Sequence, residues 1–371
     1  MVRISAQVAA MMTSVERIAH YARGVKSEGS FTSVRTDGTI ALAPLAAAKG
    51  AAAGSERAAC GAIRLDTWPS AGEVVFEGVA VRYRDDLPVV LRDVTLRIPG
   101  GGCRVGIVGR TGSGKSTLVQ ALCRLNVICG GRILIDGVDV SSVGLHELRG
   151  NIAVIPQQPS VFAGSVRANV DPFCRHSDAE VSAVLRVLTL DLRLAARRLG
   201  TDGGVDSAVT VTVASAGVGA CAGDQPGDVM AESTSATPAR LDDSSLLELS
   251  LSEGGANLSV GERQLLSLAR AMLRAAAIVV LDEATANVDY ATDETLQRTL
   301  RTSECFAKAT IFTIAHRIST VIDSDMIVVV EDGTIAESGA VRELLDDPNS
   351  AFAKLVGPEQ RSALLSGLAG S

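Results

Sequence analysis

The clearest chemistry lies in one stretch, Gly109-Arg110-Thr111-Gly112-Ser113-Gly114-Lys115-Ser116-Thr117. It fits the spacing G-x-x-x-x-G-K-[ST] in full. Glycines at these places let backbone N–H groups converge on an anion, and a helix beginning at the end of the turn adds its partial positive charge. Lys115 is placed to reach the β- and γ-phosphates of a nucleotide, and the Ser116 hydroxyl to reach Mg²⁺. A second stretch, Ala277-Ile278-Val279-Val280-Leu281-Asp282-Glu283, is an apolar run that ends in two carboxylates. Asp282 suits a metal's coordination shell, and Glu283 can orient or deprotonate a water. A chance glycine-rich turn and a solvated acidic turn are the bland alternatives. Their co-occurrence in one chain argues against both.

These residues need particular elements around them. Arg104-Val105-Gly106-Ile107-Val108 reads as a buried strand, and Thr117 to Leu122 as the start of a helix. Alternation over residues 73–99 predicts paired strands, closed by Pro99-Gly100-Gly101-Gly102. Tyr83, in that region, is either an ordinary strand aromatic or a face for a nucleotide base. Strands are predicted again at 131–137 and 152–155, followed by Pro156-Gln157-Gln158-Pro159, where the prolines restrict the backbone. Gln157 is either a plain loop residue or a holder of Mg²⁺ or water. Helices are expected from Ala179 to Arg198 and from Leu265 to Leu273. Ser259 and Gly261 precede the second of these and make a further anion-binding helix end. Residues 310–315 read as a strand ending in His316, on the edge where α/β sheets bind ligands; a structural role for this histidine stays open. A hairpin over 326–339 and a helical stretch from Val341 to Leu355 complete the pattern.

Composition narrows the classes. The chain has 371 residues, 47% hydrophobic but only 3% aromatic, so its core is aliphatic. A net charge of −7 argues against a nucleic-acid partner. Seven scattered cysteines without a C-x-x-C pair argue for reduced thiols, not for a disulfide frame or a zinc site. No apolar run reaches the roughly 18–20 residues that a membrane-spanning helix needs. Residues 1–28 show helical periodicity. Residues 29–71 read as a flexible linker, and 201–243 as a low-complexity insertion whose aspartates are solvated.

Taken in order, the motifs over 72–356 resemble an ABC-transporter nucleotide-binding domain. Tyr83 matches the aromatic loop, 109–117 the Walker A loop and Gln157 the Q-loop. Leu258-Ser259-Val260-Gly261-Glu262 matches the signature, 277–283 Walker B, Ala286-Asn287-Val288-Asp289 the D-loop and His316 the H-loop. Phrases such as Asn169-Val170-Asp171-Pro172-Phe173 and Asp282-Glu283-Ala284-Thr285 resemble the second cassette of the multidrug-resistance-protein (C) subfamily. Residues 12–18 resemble the exit from that subfamily's last transmembrane helix, which makes the chain similar to the C-terminal piece of a longer transporter.

The resemblance implies an α/β phosphate-loop NTPase core with a mainly parallel sheet, an antiparallel β subdomain and an α-helical signature subdomain, followed by a tail over 357–371. It implies ATP and Mg²⁺ as ligands, with Tyr83 on adenine and Gly109 to Thr117 around the phosphates. Ser116, Gln157 and Asp282 would hold the metal and its waters. Glu283, His316, Gln157 and Lys115 would be the catalytic set. Ser259 and Gly261 would act in trans on the nucleotide of a partner domain. It also implies transmembrane domains supplied elsewhere, a place on the cytoplasmic face of a membrane, and ATP hydrolysis that powers export. A soluble non-transport ABC ATPase and a nucleotide-binding remnant are the competing readings. Glu262 departs from the family's usual Gln; a carboxylate facing a partner's nucleotide is unfavourable unless it is turned away or paired.

Overall fold

The computed structural model describes residues 39–41, 62–64, 68–84, 86–190, 193–194, 242–283, 288–315 and 318–368. The expected helix over 1–28, the insertion up to residue 241, His316 and Ala286-Asn287 lie outside the described residues.

From Val74 onward the chain lays down β1 (Val74–Arg82) and β2 (Leu91–Ile98), then β3 (Arg104–Val108) and α1 (Lys115–Leu122) on either side of the phosphate loop. Next come β4 (Val127–Ile135), β5 (Val138–Asp139), α2 (Leu145–Gly150) and β6 (Ile152–Ile155). A helical layer follows: α3 (Val166–Val170), α4 (Asp178–Val187), α5 (Asp243–Leu247) and α6 (Val260–Arg274). The second half alternates, with β7 (Ile278–Asp282), α7 (Tyr290–Thr302), β8 (Thr310–Ile314), β9 (Met326–Glu331) and β10 (Thr334–Gly339). The chain then ends in α8 (Val341–Asp346), α9 (Ala351–Val356) and α10 (Pro358–Leu368).

Two larger sheets result. One is six-stranded, in the order β10-β9-β3-β8-β7-β6, and is parallel except for the edge hairpin β9–β10. The other is antiparallel, in the order β2-β1-β4-β5. The sequence explains the difference. In β2 the residues Leu91, Val94, Leu96 and Ile98 are buried while Arg92, Asp93, Thr95 and Arg97 are exposed, the pattern of a strand with one wet face. In β3, Val105 through Val108 are all buried, as befits a central strand covered on both faces. Because β3, β7, β8 and β6 run parallel, their carboxyl ends lie along one edge of the sheet. That edge receives the phosphate loop, Asp282 and the segment after Ile314.

Three apolar clusters hold the layers together. One lies between the antiparallel sheet, α1 and the parallel sheet, and includes Phe76, Leu96, Leu118 and Phe312. A second joins the helical layer to the sheet through Leu185, Leu246, Leu268 and Ile311. The third seats the C-terminal helices on the sheet through Val108, Val329, Leu345 and Phe352.

Two boundaries differ from expectation. The linker assigned to 29–71 is not structureless throughout: Thr39–Ala41 pairs antiparallel with Ala62–Arg64, and the domain begins before residue 72. Trp68 is buried and donates its indole N–H to the Ile135 carbonyl at 2.9 Å. The Asp136 carboxylate then gathers the next turn, accepting from the N–H groups of Ser70, Ala71 and Gly72 on Oδ2 (2.7, 2.9 and 3.2 Å) and of Glu73 on Oδ1 (2.7 Å). The Ala- and Gly-rich composition ahead of Trp68 masked this anchor. The tail assigned to 357–371 likewise contains a helix, α10, whose Arg361 donates to the Leu345 carbonyl at 2.6 Å. Asp136→Asn keeps a residue that tolerates the left-handed backbone at this position (φ 48°) but removes the charge from four N–H groups. It lowers stability by about 1–2 kcal/mol in urea titrations.

Candidate functional site

The phosphate loop is fixed by its backbone. Gly109, Gly112 and Gly114 have φ of 151°, 82° and 107°. A Cβ on Gly109 would lie 2.2 Å from the Val330 carbonyl oxygen, so this position admits only glycine. Arg110 and Thr111 are exposed, Ser113 and Thr117 are buried, and Ser116 is half-buried. Gly114 begins α1 without a side-chain cap, leaving the helix N-terminus to an external acceptor. Among the described residues the buried Ser113 hydroxyl also has no hydrogen-bond partner.

Lys115 is buried, and its ammonium donates to the carbonyls of Gly109 and Arg110, each at 2.9 Å. The lysine is thus folded over its own loop. Burial lowers its pKa below the ordinary lysine value, and the Glu283 carboxylate opposes that shift. The two groups, far apart in sequence, therefore act on one another in the fold.

Asp282 ends β7 and Glu283 follows it in the left-handed region, with φ 49°. The Glu283 N–H donates to the Ile314 carbonyl at 3.2 Å, tying it to the end of the strand that precedes His316. Gln157, after β6, donates its amide N–H to Glu283 Oε2 at 2.9 Å. Tyr83, just past β1 and 47% exposed, pairs its hydroxyl with Thr117 Oγ1 at 2.8 Å. Lys115, Gln157, Glu283, Tyr83 and the loop are thus linked pairwise, with Asp282 adjacent in the chain. The donors expected for Mg²⁺, a hydroxyl, a carboxylate and an amide oxygen, are the hard oxygen ligands that this ion takes.

Ser259 and Gly261 stand in the helical layer, at the start of α6. Ser259 is exposed at the N-cap, and its hydroxyl accepts from the Glu262 N–H at 3.1 Å. Glu262 reaches back, its Oε2 accepting from the Ser259 N–H at 2.6 Å. This is a capping box, and Glu262 is buried in it. The expected conflict of an outward-facing carboxylate is met by pairing. Gly261 is required by close packing, since a Cβ there would lie 2.9 Å from Thr292 Oγ1 and 3.0 Å from Asp289 Oδ1, at the capped start of α7.

One residue that sequence reasoning passed over joins the two regions. Gln264, buried on α6, donates to the carbonyls of Pro156 (3.2 Å) and Gln157 (3.0 Å). The helix that carries Ser259 therefore holds the backbone of the loop that carries Gln157. Its place in a helical repeat gave no sign of a partner more than a hundred positions away.

With this geometry in view, the comparisons with known proteins are specific. A family model described as ABC transporter matches residues 91–286, more than half of the chain. The ABC transporter C family MRP4 of Zea mays is 42% identical over 290 residues, covering 78% of this chain and 16% of that protein. The ATP-binding cassette sub-family C member 2 of Rattus norvegicus is 41% identical over 285 residues, covering 77% of this chain and 15% of that protein. The chain therefore spans less than a fifth of the length of these curated relatives. A bacterial Atm1-family ABC exporter solved with ATP bound superposes with a TM-score of 0.59 at 27% identity, over 77% of this chain and 42% of that one. The phosphate loop read from the sequence, the sheet edge that seats it and the family match that spans both the loop and the Asp282-Glu283 pair agree: the chain belongs to the ABC transporter family.

Proposed function

We propose that the chain binds ATP with Mg²⁺ over the loop 109–117 and hydrolyses it as one half of a head-to-tail nucleotide-binding dimer, powering export through transmembrane segments. The observation that carries this reading is the meeting of Gln157, Glu283 and Lys115 at the sheet edge, with a 2.9 Å bond between the first two. Lys115 exchanges its own loop carbonyls for phosphate oxygens. Tyr83 offers its exposed ring to the base. Glu283 polarises the attacking water, and His316 contacts the γ-phosphate. Bound through Ser116, Asp282 and Gln157, Mg²⁺ supplies charge neutralisation at the phosphates. A loose phosphoryl transition state needs this kind of positioned charge more than covalent chemistry.

Ser259 and Gly261 serve the opposite site. The exposed Ser259 with its satisfied capping box supports that role, as it keeps the helix start intact while presenting the α6 N-terminus outward. For the transmembrane partner, Phe162 and Phe173 are 64% and 78% exposed, beyond the Gln157 loop and flanking α3. Exposed aromatics of that size suit a protein interface, here on the cytoplasmic face of a membrane. Among the described residues no helix is long and apolar enough to cross a bilayer.

Because each site needs a second signature, ATP turnover per chain should rise with chain concentration. The assay is phosphate release over a dilution series. A specific activity independent of concentration contradicts the dimeric reading.

A further inference from the structure

The phosphate loop is held from outside by a turn distant in sequence. The β9–β10 turn, Glu331-Asp332-Gly333-Thr334, lies beneath it. Gly333 donates its N–H to the Ser113 carbonyl at 3.0 Å, and its own carbonyl accepts from the Arg92 N–H at 2.8 Å. Gly333 has φ 77°, and a Cβ on it would lie 1.9 Å from the Val90 carbonyl oxygen. The same hairpin also closes on the far end of the loop, where Val330 excludes any side chain from Gly109. The turn is thus wedged between β2 and the loop, with no room for a methyl group.

Peptide geometry gives this contact a consequence. In a trans peptide the carbonyl and the following N–H point in opposite directions. Fixing the Ser113 carbonyl toward Gly333 therefore fixes the Gly114 N–H away from it. We infer that Gly333 is a positioning residue for the phosphate loop: its N–H sets the Ser113–Gly114 peptide so that the Gly114 N–H faces the phosphate. This rests on the nucleotide-binding reading above. It gives the C-terminal hairpin, which α8 and α9 brace through Val329, Leu345 and Phe352, a direct hold on nucleotide affinity.

The test compares Gly333→Ala with Gly78→Ala in the full chain. Gly78 also has positive φ (58°), but its Cβ would meet only Asp93 Oδ1, at 3.3 Å, in the antiparallel sheet. Both variants carry backbone strain, and only the first disturbs the loop. Gly333→Ala should raise the Kd for MgATP, read with a fluorescent ATP analogue and by competition, by about tenfold or more. Its kcat at saturating ATP should stay within about threefold of the parent, the split expected when ground-state binding is lost. Gly78→Ala should leave Kd unchanged. Equal Kd in Gly333→Ala and the parent, or equal losses in both variants, overturns the inference. Should Gly333→Ala not fold, amide exchange of residues 331–335 in the parent decides: it slows when MgATP is added, and an unchanged rate overturns the inference. If the parent binds no nucleotide, the functional reading fails instead.

Discussion

Glu283→Gln lowers steady-state ATP hydrolysis by about 10²–10³-fold and leaves ATP affinity near that of the parent. The local geometry explains the separation. Glu283 sits at the mouth of β7, its N–H on the Ile314 carbonyl and its Oε2 on the Gln157 amide. Glutamine has the same size, its backbone keeps the Ile314 bond, and its amide oxygen can still accept from Gln157. What disappears is the negative charge that draws a proton from water as the nucleophile attacks. The loss of that charge is felt in the loop as the electrostatic effect on Lys115. Phosphate release and equilibrium binding on the same preparation check the outcome. Equal turnover in the two proteins removes Glu283 from the chemistry.

Lys115→Ala acts on binding. The buried ammonium rests on two carbonyls of its own loop, and a triphosphate offers it far stronger partners. Truncating one side of a buried, hydrogen-bonded charge pair weakens binding by about 100-fold or more. Without nucleotide the change is mild, because the variant also sheds the burial that lowers the lysine pKa. The clearest readout is the ATP-induced rise in thermal midpoint. For a ligand at about 100 times its Kd, linkage supplies about 2.7 kcal/mol of stabilisation, and in the variant this should fall to about 0.4 kcal/mol or less at the same ATP concentration. A preserved thermal shift places the nucleotide elsewhere.

The site was legible where its parts are contiguous. The loop 109–117 announces itself because strand, glycine turn and helix follow one another, and the acidic pair because it closes an apolar run. The strands were legible in those β-branched runs, and their parallel arrangement only through the family resemblance. What the sequence concealed is non-local. No periodicity connects Gln264 with the Gln157 carbonyl, Gly333 with the Ser113 carbonyl, or Trp68 with Ile135. Each is a hydrogen bond made by layers that meet only after folding. Glu262 is a different case. Ser259 and Glu262 stand at capping-box spacing, so the inward turn of the carboxylate was written in the local pattern.

One triphosphate should lie over the loop 109–117 within reach of Lys115 and the acidic end of β7. A crystal structure of Glu283→Gln with MgATP tests it most directly. Lys115 Nζ should be released from the Gly109 and Arg110 carbonyls and bonded to phosphate oxygens, with the γ-phosphate beside the substituted side chain. Nucleotide bound away from the loop, or Nζ still on those two carbonyls with ATP present, contradicts it.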